Sequence, residues 1–178
     1  MLNHPVIAVV LIRLLSLSVL AAPADQGHGI VRLNGEIMAS ACGIHTDDLW
    51  QEVNFPPVSV DQVSSFSGQT TRDFSLRLIN CRLEKEDGSL WQSAQVYFDG
   101  EPDYLTRSLF ALHGEAKGLA LQLTDERGEI ALPGQAFSAV TLNEGDQKLN
   151  YHLRVMRNGE ALQEGSWSAS LRFMVVYQ

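Results

Sequence analysis

The sequence predicts an all-β sandwich, and three observations lead to that prediction. Apolar and polar side chains alternate in five separate segments, which is the pattern of a β-strand with one buried face. Clusters of Gly, Asn, Asp and Glu separate the segments at short intervals, as turns do. The chain also carries two cysteines, Cys42 and Cys81, which are enough for one disulfide. Short strands punctuated this regularly favour a sandwich.

The strands can be placed in order along the chain. They are predicted at residues 74–80, 96–98, 119–123, 149–156 and 167–177. Turn residues lie at 86–89, 99–100, 126–128, 143–146 and 157–159. Only residues 46–52 are predicted to form a helical turn. Because we find no repeat and no interdomain linker, we expect a single folded domain.

The first 24 residues are predicted to be a secretion signal. One charge, Arg13, precedes the apolar run 14–20, and Ala22 and Ala24 are small residues at the −3 and −1 positions before a cut at Asp25. A membrane anchor is the alternative, but Arg13 divides the apolar stretch into pieces too short to span about 30 Å of hydrocarbon. We therefore expect export.

Composition restricts the class of partner. The 178 residues include 13 basic and 21 acidic side chains, for a formal net charge of −8, with 45% hydrophobic and 19% charged residues. These proportions are those of a globular domain. An acidic surface repels phosphate backbones, so we expect no nucleic-acid partner. Removing the signal takes one Arg and no acid, so the mature chain is more acidic still.

Export also bears on the two cysteines. An oxidising compartment predicts a disulfide between Cys42 and Cys81. Closing a loop of about 40 residues would stabilise the fold by roughly 4 kcal/mol in the chain-entropy model. A metal site is the alternative for a cysteine pair, but no Cys-x-x-Cys spacing accompanies it.

The two ends of the chain do not fit a self-sufficient sandwich. The final strand pattern continues to Tyr177 and Gln178. Near the other end, one face of an extended stretch carries small and apolar residues: Gly27, Gly29, Val31 and Leu33. This stretch is too rich in glycine to be a strong strand alone, but glycine permits close backbone approach, so it suits insertion into another chain's groove. A disordered arm is the alternative.

Several motifs together point to a known family. They are Gln26–Gly35, Ala41–Ile44 around the first cysteine, Leu78–Cys81 around the second, Gly165 fourteen residues from the end, and the penultimate Tyr177. In this order they resemble the pilins of chaperone–usher fimbriae of Gram-negative bacteria. The resemblance covers almost the whole chain after the signal.

The resemblance implies an incomplete immunoglobulin-like sandwich that lacks its seventh strand, with one disulfide and an extended N-terminal donor strand. Residues 25–36 would be the donor strand and residues 37–178 the pilin domain. A missing strand leaves an apolar groove beside an unpaired sheet edge. A periplasmic chaperone would lend a strand until a neighbouring pilin replaces it at an outer-membrane usher, which is recognition by β-strand addition.

The resemblance also implies roles for individual residues. Val31 and Leu33 would enter a neighbour's groove, and Gly29 would lie where that groove is too narrow for a side chain. Gly27 would belong to the same donor strand. The carboxylate of Gln178 would be held by basic chaperone residues. The strand that lines the groove and docks the chaperone would include Gly165, Ala169, Leu171, Phe173, Val175, Tyr177 and Gln178.

The position in the pilus is predicted from further similarities. The stretches most like the terminating, membrane-proximal minor subunit of P pili are Phe66–Gly68, Phe74–Leu78, Asn80–Cys81, Phe98–Gly100, Gly114–Gly118, Leu149–Tyr151 and Arg157–Gly159. A terminator accepts no further subunit because its groove lacks the open pocket where exchange begins. The extension, Gln26–Gly35, is more like that of a shaft subunit, so a shaft or adaptor pilin is the alternative. Either would be exported through the periplasm to the cell-surface fimbrium.

Other classes of protein have less support. The sequence lacks H-E-x-x-H, G-x-S-x-G and a complete G-x-G-x-x-G, so we predict no enzyme, catalytic residue, metal, cofactor or small-molecule substrate. His152, opposite Leu153 in its strand, is expected to face solvent. Trp50, Trp91 and Trp167 could stack on sugars, so a secreted glycan-binding sandwich is the alternative from a different class.

Overall fold

The all-β prediction is confirmed by the computed structural model, which describes residues 31–34, 40–64 and 70–178. The strands are β1 (Gly43–Ile44), β2 (Thr71–Cys81), β3 (Ser93–Asp99), β4 (Phe110–Ala111), β5 (His113–Gly114), β6 (Leu119–Asp125), β7 (Val140–Thr141), β8 (Gly145–Arg157), β9 (Trp167–Ser168) and β10 (Arg172–Tyr177). All five predicted strand segments fall on strands. The two-residue strands β1, β4, β5 and β7 were not predicted, since two residues are too few to display a period.

Two short helices interrupt the strands. A 3₁₀ helix covers Thr46–Asp48, within the predicted helical turn. A second helix, α1 (Val60–Ser64), contradicts the prediction that no other part of the chain is helical. Its capping box explains it, because Ser59 N donates to Gln62 Oε1 at 2.7 Å and Gln62 N donates to Ser59 Oγ at 3.3 Å. No helix in the described part of the chain is long and apolar enough to cross a membrane.

The strands form two sheets and a ribbon. The larger sheet has the order β1-β2-β8-β6-β4, the smaller has the order β10-β3-β7, and β5 pairs with β9 separately. Neighbours in all three are antiparallel. The larger sheet ends at β1 and β4, and the smaller sheet ends at β10 and β7. β1 and β10 lie on the same side of the sandwich, since Tyr177 of β10 forms a hydrogen bond with Cys42 next to β1.

The core lies between the sheets, where alternate residues of the long strands meet. Leu76 and Leu78 from β2 and Leu123 from β6 are at most 1% exposed. An aromatic cluster links the layers, with the Phe98 ring of β3 5.0 Å from Tyr151 of β8 and 5.9 Å from Phe74 of β2. Burial of such side chains is the main source of the fold's stability.

The predicted disulfide is present. Cys42 and Cys81 are bonded, with 4.0 Å between their Cα atoms. The bond joins the residue before β1 to the last residue of β2, so it fastens the edge strand β1 to the body of the larger sheet.

The last predicted strand is in fact two. β9 pairs with β5, whereas β10 pairs with β3, and residues 169–171 connect them. Gly165 leads into β9 with φ +152°, and a Cβ there would lie 2.5 Å from Cβ of Glu115. The chain therefore enters the ribbon through a close approach at Gly165 and afterwards changes partner to join the smaller sheet, which a period-two pattern does not reveal.

Candidate functional site

The candidate site is the open edge of β10. Six residues of β10 pair with β3, from Arg172 opposite Asp99 to Tyr177 opposite Ala94. No described residue pairs with the other edge of β10. An unpaired edge exposes backbone donors and acceptors and is a template for another strand.

The register fixes which backbone groups are free. Gln178 and Ser93 exchange both hydrogen bonds, at 2.8 and 3.2 Å. Since the bonds of an antiparallel ladder alternate, Met174 and Val176 also point their backbone groups toward β3. The N–H and C=O groups of Phe173, Val175 and Tyr177 point to the open edge instead.

The inward side chains of β10 are incompletely buried. Those of β8 are at most 8% exposed: Leu149, Tyr151, Leu153 and Val155. The corresponding residues of the final segment pack against the same core but remain half-buried: Leu171, Phe173, Val175 and Tyr177. The sandwich is therefore less covered along β10 than along β8.

Residues 41–55 form the opposite side of this groove and meet the final segment at both ends. Tyr177 donates from its hydroxyl to the carbonyl of Cys42 at 3.2 Å. At the other end, the Phe55 ring lies 5.2 Å from Trp167 in an edge-on contact. Between these contacts, half-buried Ile44 and Val53 add apolar surface. The result is an apolar groove with the Tyr177 hydrogen bond at one end and the Phe55–Trp167 ring contact at the other.

An ion pair between the buried carboxylate of Asp48 and the partly exposed Arg77 holds residues 41–55 to the larger sheet. Asp48, 5% exposed, accepts from Arg77 N at 2.7 Å and from its guanidinium at 2.8 Å. The hydrogen bonds from Arg77 hold the pKa of Asp48 below its ordinary value, although burial acts in the opposite direction. On the edge of β2, the backbone N–H of Arg77 is thus paired with the Asp48 carboxylate instead of with another strand. This contact keeps residues 41–55, and with them this side of the groove, in position.

The remaining predicted site residues have varied surroundings. Val31 and Leu33 are 84% and 91% exposed, whereas Gly27, Gly29 and residues 66–68 are outside the described residues. Ala169 is exposed and precedes β10. Gly165 packs beside Glu115 at the ribbon. Gln178 accepts at its backbone oxygen from Gln92 N at 2.7 Å.

The side chains considered for other chemistry are dispersed. No group of three or more His, Cys, Asp or Glu side chains among the described residues could hold a metal ion. Trp91 lies under the ammonium of Lys85 at 4.0 Å, and Trp50 is 89% exposed. His152, on the outer face of β8, has its Nδ1 2.6 Å from Asp73.

The family model described as "Fimbrial protein" matches residues 31–178. The chain belongs to the fimbrial protein family. This fimbrial protein is 38% identical to the PAP fimbrial minor pilin protein of Escherichia coli, over 84% of its own length and 77% of that relative. It is 30% identical to the major MR/P fimbria protein of Proteus mirabilis (strain HI4320), over 92% of its own length and 94% of the relative.

Solved structures give the same fold for this fimbrial protein. It superposes on the crystal structure of the P pilus rod subunit with a TM-score of 0.69 and 23% identity, over 78% of this chain and 100% of that one. The predicted fold, an incomplete immunoglobulin-like sandwich with one disulfide, is confirmed. The chain is a fimbrial subunit, and its relatives are structural pilus subunits, not enzymes.

Proposed function

We propose that this fimbrial subunit is assembled by donor-strand complementation, with the incoming strand pairing along β10. The observation that carries the proposal is that the free backbone groups and the half-buried side chains belong to the same residues, Phe173, Val175 and Tyr177. A strand laid there gains main-chain hydrogen bonds and covers apolar surface at once.

The free energy expected from adding a strand along β10 is large compared with the stability of a small domain. Completing the burial of four half-buried side chains contributes on the order of 1 kcal/mol each. Each new backbone hydrogen bond adds about 1 kcal/mol. Domains have free energies of unfolding of only about 5–15 kcal/mol. A subunit without this strand is therefore expected to be only marginally stable, and a subunit with it to be stable.

The same reasoning names the partners. A periplasmic chaperone fills the groove first, docking along β10 beside the carboxylate of Gln178, and an outer-membrane usher is the place of exchange. Residues 25–36 supply the strand to a neighbouring subunit, with Val31 and Leu33 as the inserted side chains. Their high exposure in the subunit supports this role.

Within the fibre, we infer a minor subunit that terminates or anchors it and so contributes to adhesion. Two observations support this position. The 38% identity is to a minor pilin. The Phe55–Trp167 contact also joins the two sides of the groove next to the start of β10, where it would obstruct an entering strand. A shaft or adaptor position is the second candidate, supported by the 30% identity to a major fimbria protein.

One experiment tests both levels of the proposal. The subunit is expressed in the periplasm with and without a pilus chaperone, and the purified one-to-one complex is incubated with a peptide of residues 25–36. We expect yield only with the chaperone, and no displacement of the chaperone by the peptide. In Trp167→Ala the obstruction is removed, so the peptide should displace the chaperone. Trp50→Ala, which removes an exposed tryptophan, is the matched control.

The possible failures are distinct. An abundant monomer made without chaperone would contradict strand complementation. Rapid displacement from the unaltered subunit would contradict the terminating position while leaving complementation intact, and would favour a shaft or adaptor subunit.

A further inference from the structure

A second cleft lies on the side of the sandwich away from β10, beside the other edge strand of the smaller sheet, β7. It has a volume of about 310 Å³. Its walls are the turn that begins at Asp125, the first half of β8, and residues 137–141. It shares no residue with the groove along β10 that is proposed to receive a strand.

The cleft exists because two neighbouring strands end at different levels. β6 stops at Asp125, which pairs with Tyr151 of β8. β8 extends further, to Gly145, and residues 145–150 have β2 on one side and no described strand on the other. The gap this leaves is bordered by polar side chains: Gln147 donates to the carbonyl of Thr141 at 3.0 Å.

The hydroxyl of Tyr151 is the unusual group in this cleft. Tyr151 is 4% exposed, and its ring is fixed by stacking on Phe74 at 5.3 Å and by Phe98 at 5.0 Å. No described residue forms a hydrogen bond with its hydroxyl, although buried polar groups are usually paired. Burial raises the pKa of Tyr151 well above its ordinary value, so the group remains a phenol that can both donate and accept.

The charges around the cleft select against anions. Asp125 is held in place because it accepts from Arg127 Nε at 2.7 Å and from the backbone of Glu129 at 2.8 Å. Glu126 also lines the cleft. Two carboxylates, those of Asp125 and Glu126, and one guanidinium, that of Arg127, therefore line the cleft, and a negatively charged ligand would be repelled.

We propose that this cleft binds a neutral, hydroxylated ring the size of one monosaccharide. Its volume is at the lower end of the range for small-molecule sites, which fits a single ring better than an oligomer. Apolar Phe137 and Leu149 provide a surface for the C–H face of such a ring. The Tyr151 hydroxyl and the Asp125 carboxylate provide a donor and acceptors for its hydroxyl groups. The subunit thereby gains a carbohydrate contact that is separate from fibre assembly.

Saturation-transfer NMR on the chaperone-bound subunit tests this proposal with methyl glycosides of galactose, glucose, mannose and N-acetylglucosamine. N-acetylneuraminate serves as the anionic probe. We expect at least one neutral glycoside to bind. N-acetylneuraminate should bind more weakly than that neutral glycoside. Tyr151→Phe removes only the hydroxyl and keeps the ring stacking, so the domain should fold normally and the Kd should rise on the order of tenfold. Tyr97→Phe, on the outer face of β3, is the control and should bind as the unaltered subunit does.

Three results would overturn the proposal. The first is no transfer from any neutral glycoside at millimolar concentration while Tyr151→Phe folds normally, which would mean that the cleft holds only water. The second is binding that Tyr151→Phe leaves unchanged, which would place the sugar elsewhere. The third is loss of fibre incorporation in Tyr151→Phe without any sugar binding, which would make the cleft a contact between subunits.

Discussion

Asp48 illustrates how single residues hold the groove open. Its carboxylate is buried and receives both a backbone N–H and the guanidinium of Arg77, so it ties the 3₁₀ helix to β2. Without that tie, the segment that faces β10 would lose its attachment at this point. A residue far from the free edge thus determines the position of one side of the groove.

Replacing Asp48 tests this role through pH. Because its pKa is lowered in the folded state, Asp48 contributes stability above its unfolded pKa of about 3.9, and the contribution is lost as the pH falls through the lower folded value. Asp48→Asn should therefore cost about 2 kcal/mol at pH 7, with the deficit shrinking below about pH 4. Urea unfolding measures it in the Trp167→Ala background, where the subunit is proposed to accept a strand peptide.

Asp47→Asn is the matched control for that experiment. Asp47 is exposed and lies 3.5 Å from Arg77, so its loss should change stability by less than about 0.5 kcal/mol. An Asp48→Asn deficit that stays constant from pH 7 to pH 3 would contradict the assignment.

At the scale of elements, β10 has two edges with different functions. The backbone groups of Val176 bond to β3, whereas those of Val175 face the groove. One edge of β10 therefore forms hydrogen bonds within the subunit, and the other edge is available to a strand from a partner.

Proline at each of these positions should separate the two functions. Val176→Pro removes an N–H that bonds to β3 and should reduce the yield of folded, chaperone-bound subunit severely. Val175→Pro removes an N–H from the open edge only, so the domain should still fold, while in the Trp167→Ala background a strand peptide should bind it at least about fivefold more weakly. The yield of the complex and the peptide Kd are the measurements. Equal effects from the two variants would contradict the register.

The elements also show what the sequence alone can predict. The segments 74–80, 119–123 and 149–156 were predicted because each keeps one face buried over several residues, and each is confirmed. The predicted segment 167–177 combined β9 with β10, because the alternation continues through residues 169–171 although the pairing partner changes. Helix α1 was missed even though its Ser59–Gln62 capping box is visible in the sequence.

The two candidate sites also differ in how far the sequence could predict them. The half-buried face of β10 was predicted, since the resemblance fixes the order of strands and the missing one. The cleft beside β7 was not, because it depends on the level at which β6 ends opposite Tyr151. That level is a matter of register between strands distant in the sequence, which no local pattern records.

At the scale of the whole molecule, the chain is incomplete by itself and is proposed to be completed by another chain. The proposed donor residues and the acceptor strand β10 belong to different parts of the sequence, so the two halves of the proposal can be tested separately. In a terminating subunit the donor strand enters a neighbour, whereas β10 keeps the strand of the chaperone.

Leu33→Asp tests the donating half of this account. Leu33 is 91% exposed, so the substitution should leave the domain's stability unchanged but abolish incorporation into the fibre, because a carboxylate cannot enter an apolar groove unpaired. Asn34→Asp adds the same charge to the opposite face and should be incorporated. Fibre extracts probed for the subunit measure the result, and normal incorporation of Leu33→Asp would rule out its donor role.

The receiving half is tested most directly by amide hydrogen exchange along β10 in Trp167→Ala, the variant proposed to accept a strand peptide, after release from the chaperone and with or without the peptide. Met174, Val176 and Gln178 donate to β3 and serve as the internal reference. We predict that Phe173, Val175 and Tyr177 exchange far faster than the reference amides in the free subunit and become equally protected when the strand is bound. Protection of all six amides in the free subunit would contradict the account, because the edge of β10 would then already be paired.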